Sequence, residues 1–298
     1  VSERGQKKGA GLVFGLSREG YDGDPADHWS TIKTMDRSPA HYLAAEAQGT
    51  PDTDARKVGR AVHLAVLEPE RYGGEVAVWS GKVRNGRAWE EFQAANAGKE
   101  ILTQREAAHV SAIQRAVRGS LMARPYIAGG RAEVSMFWGY HELDPATWLP
   151  GWAPIRLKGR VDYVTDEVLV DLKTTRDASP AGFGREALRY GYHVQAALYA
   201  DGYEAATGTR LPFVLVAVES APPHVVQVYG VPDHYLEAGR DAYRAMIRRL
   251  AMCRAANQWP GYCEVPMELE LPKWSGLDDD EEDISDLDLG FQEEGGDA

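Results

Sequence analysis

The 298-residue chain is poor in cysteine, in long apolar runs and in net positive charge. Its two cysteines, Cys253 and Cys263, cannot build a disulfide framework, a four-cysteine zinc site or a four-cysteine iron–sulfur cluster. Cysteine use this sparse predicts a reducing, cytoplasmic setting. No stretch approaches the roughly 18 apolar residues that a membrane-spanning helix needs. The start of the chain leads into no signal-peptide core. No G-x-x-x-x-G-K-[ST] phosphate loop occurs; the nearest string, Gly74 to Val83, has the wrong spacing and ends in valine. ATP binding by a Walker loop is therefore not expected.

The lack of positive charge is less informative than it looks. A net charge of −12 argues at first against a nucleic-acid partner. However, 11 of the acidic residues lie between Asp278 and Asp297, where there is no Lys or Arg. Residues 1–276 then carry 34 acidic against 33 basic groups, so the body is near neutral. The tail shows no periodic apolar face and reads as disordered. Its acids alternate with Ile284, Leu287, Leu289 and Phe291, which suits a docking segment for a basic partner or a merely solvated tail.

Residues 1–20 read as a flexible leader, 21–276 as one domain and 277–298 as the acidic tail. Ser38-Pro39 predicts an N-cap and first helical residue, with the helix running to Ala47. Helices follow at Arg56–Leu67, Ala88–Ala97 and Thr103–Arg118, the last opened by Thr103 and Glu106 in capping-box spacing. Strands are expected at Glu75–Trp79 and Arg131–Tyr140, and then at Ile155–Val164 and Glu167–Leu172 around a Thr165-Asp166 hairpin. A Pro- and Trp-rich excursion, Leu143–Pro154, precedes the hairpin. Helices Pro180–Arg189 and His193–Thr207, strands Phe213–Glu219 and His224–Tyr229, and a long helix Pro232–Asn257 complete the order. This succession predicts an α/β (α+β) fold with a mixed central sheet flanked by helices and an N-terminal helical elaboration.

The stretch Lys158 to Thr175 carries the chemistry. Asp162 and Asp171 fall on paired strands and can converge near one end of the sheet. Lys173, two residues beyond Asp171, shares its face. Two acids and a lysine facing one point are costly unless an ion joins them, and Mg²⁺ suits hard carboxylate ligands. The same residues would also serve as a surface ion pair with Asp162 in a turn. Gln195 and Tyr199 stand i, i+4 on a helix and point one way. His63 lies on another helix. Lys82, Arg84 and Arg87 form a basic loop with Trp89 beside it, suited either to gripping DNA or to solvent.

Together these residues resemble the PD-(D/E)XK nuclease superfamily, in the branch that holds the RecB nuclease domain and RecE-type phage exodeoxyribonucleases. The motifs are a helical His63, then Gly159-Arg160-Val161-Asp162, then Asp171-Leu172-Lys173-Thr174, then Gln195-Ala196-Ala197-Leu198-Tyr199. Ser38-Pro39-Ala40-His41-Tyr42, the helix Gly59–Pro69 and Arg87-Ala88-Trp89 resemble the RecE type in particular. The proline of the superfamily motif is missing, since Val161 precedes Asp162. The basic loop reads Asn85-Gly86-Arg87 where a Gly-Lys pair is usual.

The resemblance implies a restriction-endonuclease-like core and a Mg²⁺ (or Mn²⁺) ion held by His63, Asp162, Asp171 and the Leu172 carbonyl, with Glu133 for a second ion. It implies no ATP and no iron–sulfur cluster. Lys173 would act beside the attacking water, positioned by Gln195 and Tyr199, while Arg160 and Thr174 would bind backbone phosphates. The implied activity is 5′ to 3′ degradation of linear double-stranded DNA from its ends. It would be processive and would leave 3′ overhangs for a single-strand annealing protein. A toroidal homo-oligomer, a tetramer in the nearest analogy, and phage or prophage recombination follow by the same route, with no membrane role. The alternatives are an endonuclease or single-strand nuclease on this core, a non-catalytic DNA-binding module, and a metal-dependent hydrolase outside nucleic-acid chemistry.

Overall fold

The computed structural model describes residues 10–49, 52–140, 155–263 and 265–269. The described residues up to Gly261 lie in one compact unit, which ends there rather than at the expected 276. Of the second unit, residues 262–263 and 265–269 are described; they are exposed and form no helix or strand. The excursion at 143–154, with Trp148 and Trp152, and the acidic tail at 277–298 lie outside the described residues. Among the described residues no helix is long and apolar enough to cross a membrane.

The central sheet is mixed, as expected. Its strands are β1 (Gly11–Val13), β2 (Asp27–His28), β5 (Arg131–Tyr140), β6 (Ile155–Val164), β7 (Leu169–Thr175), β8 (Phe213–Glu219) and β9 (Val226–Gly230). They run in the order β1-β5-β6-β7-β8-β9, with β2 added alongside β6. β6 runs antiparallel to both β5 and β7, and β8 then joins β7 in parallel. A small parallel sheet, β3 (Val76–Trp79) with β4 (Glu100–Thr103), stands apart.

Helices cover both faces of the sheet. One face packs α9 (Tyr192–Thr207) and α10 (Asp233–Ala256) over Trp138, Leu157, Leu169 and Phe213. The other packs α4 (Asp54–Leu67) and α7 (Gln104–Gly119) over Val170, Leu172, Val214 and Val216. Val170 and Leu172 thus face away from Leu169, as strand alternation requires. Burying both faces of β8 explains its nearly continuous apolar sequence, Phe213 to Val218.

Local signals set most boundaries. The Ser38 side chain accepts from the His41 amide and Pro39 opens α3 (Pro39–Gln48). Thr103 and Glu106 close a complete capping box on α7. Gly191, in the left-handed region, ends α8 (Pro180–Tyr190) and lets α9 start at once. The expected leader, 1–20, needs correction. Gly11–Val13 pairs with Ser135–Phe137 as an edge strand, and Arg18–Asp22 forms the short helix α1.

Candidate active site

The site forms where the sheet forks. Along one edge of β6, Leu157 and Lys158 pair with β2, whereas Tyr163 and Val164 pair with β7. Gly159 to Asp162, between these two pairings, are open on that edge. In register, Asp162 would next oppose Asp171, but the ladder stops first. The Asp162 carboxylate instead accepts the Leu172 N–H at 2.7 Å, replacing a backbone carbonyl. That bond holds the two strands apart by one side chain and plants the carboxylate between them.

The third strand bends at the same level. Glu133 is aligned with Asp162 across β5 and β6, between the pairs Ala132↔Tyr163 and Val134↔Val161. Its φ is +51°, a strained value for a residue other than glycine. Around this point both strands change face. Ala132 and Tyr163 pack toward α4 and α7, while Val134 and Val161 pack toward α9. A strand that switches faces leaves one residue committed to neither apolar layer, and here both such residues are acids.

His63, on α4, meets this pair from one face: its Nδ1 lies 3.4 Å from Asp162 Oδ2. His63, Glu133 and Asp162 each present a ligand atom within 4.8 Å of the others. From the opposite face comes α9. Gln195 Nε2 donates to Asp171 Oδ1 at 3.3 Å, while its Oε1 accepts from Lys173 Nζ at 3.1 Å. Lys173 is ion-paired with Asp171 Oδ2, a buried oxygen that accepts no aligned hydrogen bond. The Tyr192 ring lies 4.6 Å from the Lys173 ammonium. Tyr199 packs against Gly159, where an added Cβ would sit 3.1 Å from its ring, so the glycine of G-x-x-D makes room for the tyrosine.

These groups perturb one another strongly. Burial, then the nearby Asp162 charge, pushes Asp171 up to about 6. Burial and Asp162 likewise push Glu133 up to about 7. Asp162 moves the other way: burial opposes its ionisation, but His63, Lys173 and the Leu172 N–H outweigh it. Burial disfavours a charged His63, yet Asp162 and the other carboxylates raise it to about 9. Lys173 is raised for the same reason, with Asp171 foremost among the charges overcoming its burial.

A divalent cation fits this donor set. Three carboxylates and an imidazole converge, and two of those carboxylates are held in an environment that resists their charge. His63, Glu133 and Asp162 supply the clustered donors, and Asp171 Oδ2 is the buried oxygen left without an aligned donor.

The other sequence candidates fare differently. Arg160 was expected to grip phosphate, but its donors are used internally. It bonds Ser135 Oγ and the carbonyls of Leu16 and Ser17, lies over the Tyr21 ring, and reaches Glu133 at 3.7 Å. It therefore ties the N-terminal segment to the site. Arg84 is likewise paired with Glu106 and Asp54, and Arg87 with Glu91. Trp89 packs on Trp79 and Phe92. Lys82 and Thr174 are exposed.

Tyr192, which the sequence suggests packs or orients rather than catalyses, stands three residues before Gln195 on the same helix face and lies against the Lys173 ammonium.

Residues 29–268 match the family described as a PDDEXK-like domain of unknown function (DUF3799). No curated protein matches. A crystal structure from Eubacterium rectale, described as a candidate exonuclease, superposes with a TM-score of 0.57 at 16% identity, over 87% of this chain and 96% of that one. At that identity the likeness shows the fold alone. The crystal structure of SSO0001 aligns over 73% of this chain and 85% of that one, at 12% identity and a TM-score of 0.28, too low to carry an argument.

Proposed function

Since the chain belongs to the PDDEXK-like DUF3799 family, we propose that it is a metal-dependent deoxyribonuclease that degrades linear double-stranded DNA from its ends. The carrying observation is the convergence of His63, Glu133 and Asp162 beside the Asp171–Lys173 pair at the sheet fork. The order of the sequence motifs and the candidate exonuclease among the structural neighbours support an exonuclease in particular. The RecE resemblance supports 5′ to 3′ polarity, processivity and 3′ overhangs passed to an annealing protein. It also supports assembly as a ring of identical chains in a phage or prophage recombination system.

In this reading His63, Glu133, Asp162 and Asp171 hold Mg²⁺ or Mn²⁺, with the Leu172 carbonyl beside them. The ion supplies Lewis acidity toward the scissile phosphate and lowers the pKa of a bound water. Lys173, kept protonated by Asp171 and Asp162, offsets negative charge building on the phosphorane. Gln195 fixes the ammonium and the carboxylate relative to each other, and Tyr192 and Tyr199 wall off bulk water around them.

End-labelled linear, nicked and covalently closed DNA, incubated with Mg²⁺ and with EDTA, tests the reading. Loss of the linear form alone, stopped by EDTA and by Asp171→Asn, is expected. Cutting of closed circles would replace it with an endonuclease. No turnover with any divalent cation would leave a binding module.

A further inference from the structure

Just past the catalytic strand lies a cleft of about 680 Å³, lined by Thr174, Thr175 and Arg176 at the end of β7, by Arg185, Glu186, Arg189 and Tyr190 on α8, and by Ser220. All three arginines are exposed. Arg185 and Arg189 stand i, i+4 and so share one face of α8. Arg176 is three residues beyond Lys173, about 10 Å along an extended strand.

The charge in this cleft is uncompensated. Among the described residues none of the three arginines is in an ion pair, whereas Arg84, Arg87, Arg240 and Arg254 each are. Arg185 feels the field of Asp177 and Arg189 lies 5.6 Å from the Tyr190 ring; neither contact uses up a guanidinium fork. The one carboxylate lining the cleft, Glu186, is turned to other work. It accepts the Thr175 hydroxyl at 2.8 Å and also bonds Tyr192. Through Tyr192 the wall of the cleft touches the Lys173 ammonium, since Tyr190 stacks on Tyr192 at 5.8 Å. Three guanidinium groups outside these ion pairs, with the hydroxyls of Thr174 and Ser220, in a concave, polar site match phosphate oxygens, which arginine binds in bidentate fashion.

We infer that the cleft lined by Arg176, Arg185 and Arg189 is a subsite for a phosphate of the substrate strand, within a few nucleotides of the bond to be cut. The inference rests on the nuclease reading above and names where that substrate is gripped. An internal phosphodiester and a terminal phosphomonoester share the required chemistry.

The test is binding of fluorescently labelled 20-base-pair duplexes in EDTA, with 5′-phosphate or 5′-hydroxyl ends, across 50–200 mM salt. The wild type is compared with Arg176→Ala/Arg185→Ala/Arg189→Ala and with the corresponding triple Lys variant. Each phosphate contact contributes about 0.9 to the log–log salt slope, so the alanine variant, losing one gripped phosphate, is expected to lose about 1 from the slope and to bind roughly tenfold or more weakly. The lysine variant is expected to keep the slope, because the charge remains. A defect confined to phosphorylated ends assigns the terminal group; one common to both duplexes assigns the backbone. If the alanine variant matches the wild type in Kd and slope while the wild type binds DNA, the subsite is overturned and the nuclease reading stands. If the wild type neither binds nor cleaves DNA, both fall.

Discussion

Asp162 and Asp171 flank one fork in the sheet, on strands that meet a residue away, yet their surroundings differ. Asp171 belongs to a half that carries its own counter-charge. Lys173 pairs with it, Gln195 spans the two, and all of them hang between β7 and α9. Asp162 belongs to a half richer in acids, whose counter-charges are the His63 imidazole and a guanidinium at its edge. There, two carboxylates and an imidazole crowd within 4.8 Å of one another, and the nearest guanidinium, that of Arg160, stays 3.7 Å from Glu133. Burial, then the Asp162 charge, pushes Glu133 up to about 7, and Asp162 with the other carboxylates raises His63 to about 9. The first half holds a cation of its own in Lys173, with Asp171 Oδ2 still lacking an aligned donor, while the second gathers acidic donors that suit an added cation.

Removing one group from each half should separate binding from chemistry, and this carries the largest expected effect. Asp162→Ala and Lys173→Met are each expected to lower DNA hydrolysis by roughly 10²–10³-fold or more. Divalent-metal affinity, read by calorimetry, should fall steeply only in Asp162→Ala. Lys173→Met should bind metal at least as well as the wild type, since a competing cation is gone. Equal loss of affinity in both variants would show that the two halves are not distinct.

The division was only partly readable in the chain. Asp162, Asp171 and Lys173 announced themselves because alternation on a strand fixes the face of a side chain, and the i, i+4 spacing of Gln195 and Tyr199 fixes theirs. Spacing cannot report backbone handedness, so nothing in Ala132-Glu133-Val134 foretold the positive φ that aligns Glu133 with Asp162. Strands β1, β2 and β4, two to four residues each, are too short to show a period and exist only through distant partners. Nor does a count of basic residues say which are already paired. The loop at 82–87 reads as the best grip on DNA, yet Arg84 is taken up by Glu106 and Asp54, while Arg87 makes only an exposed pair with Glu91. Arg176, Arg185 and Arg189, scattered over a strand end and a helix, form no run in the sequence, and among the described residues they make no ion pair.

A titration sharpens the contrast between the halves next. His63, Asp171 and Glu133 all have folded-state pKa values above their ordinary ones of 6.5, 3.8 and 4.5. At these three groups the folded protein therefore holds more protons than the unfolded chain, and their contribution to stability falls as pH rises through each window. For Asp171 that window is about 4 to 6, for Glu133 about 4.5 to 7, and for His63 about 6.5 to 9. The stability that His63 supplies is complete below 6.5 and gone above about 9. In EDTA the melting temperature should decline across this range, and His63→Gln should flatten the part above 6.5. With Mg²⁺ at a hundred times its Kd, about 2.7 kcal/mol of stability should return. That gain should grow with pH, because the ion and the protons compete for the same atoms. A metal-induced gain that shrinks with pH would place the ion elsewhere.

The smallest expected effect tests how the lysine half is held together. Gln195 can satisfy both partners in only one amide orientation, with its nitrogen to Asp171 and its oxygen to Lys173. Gln195→Ala removes the bridge but leaves the ion pair, so kcat should fall about 10–100-fold, as for other groups that orient metal-site ligands, with the KM for DNA unchanged. Gln195→Glu keeps an acceptor for Lys173 but sets a carboxylate against Asp171, whose pKa is already raised. The acidic limb of the pH–rate profile should then move to higher pH, a shift that Gln195→Ala should not produce. If both variants moved the limb alike, Gln195 would be acting through packing, and the order of this half would rest on the Lys173–Asp171 pair alone.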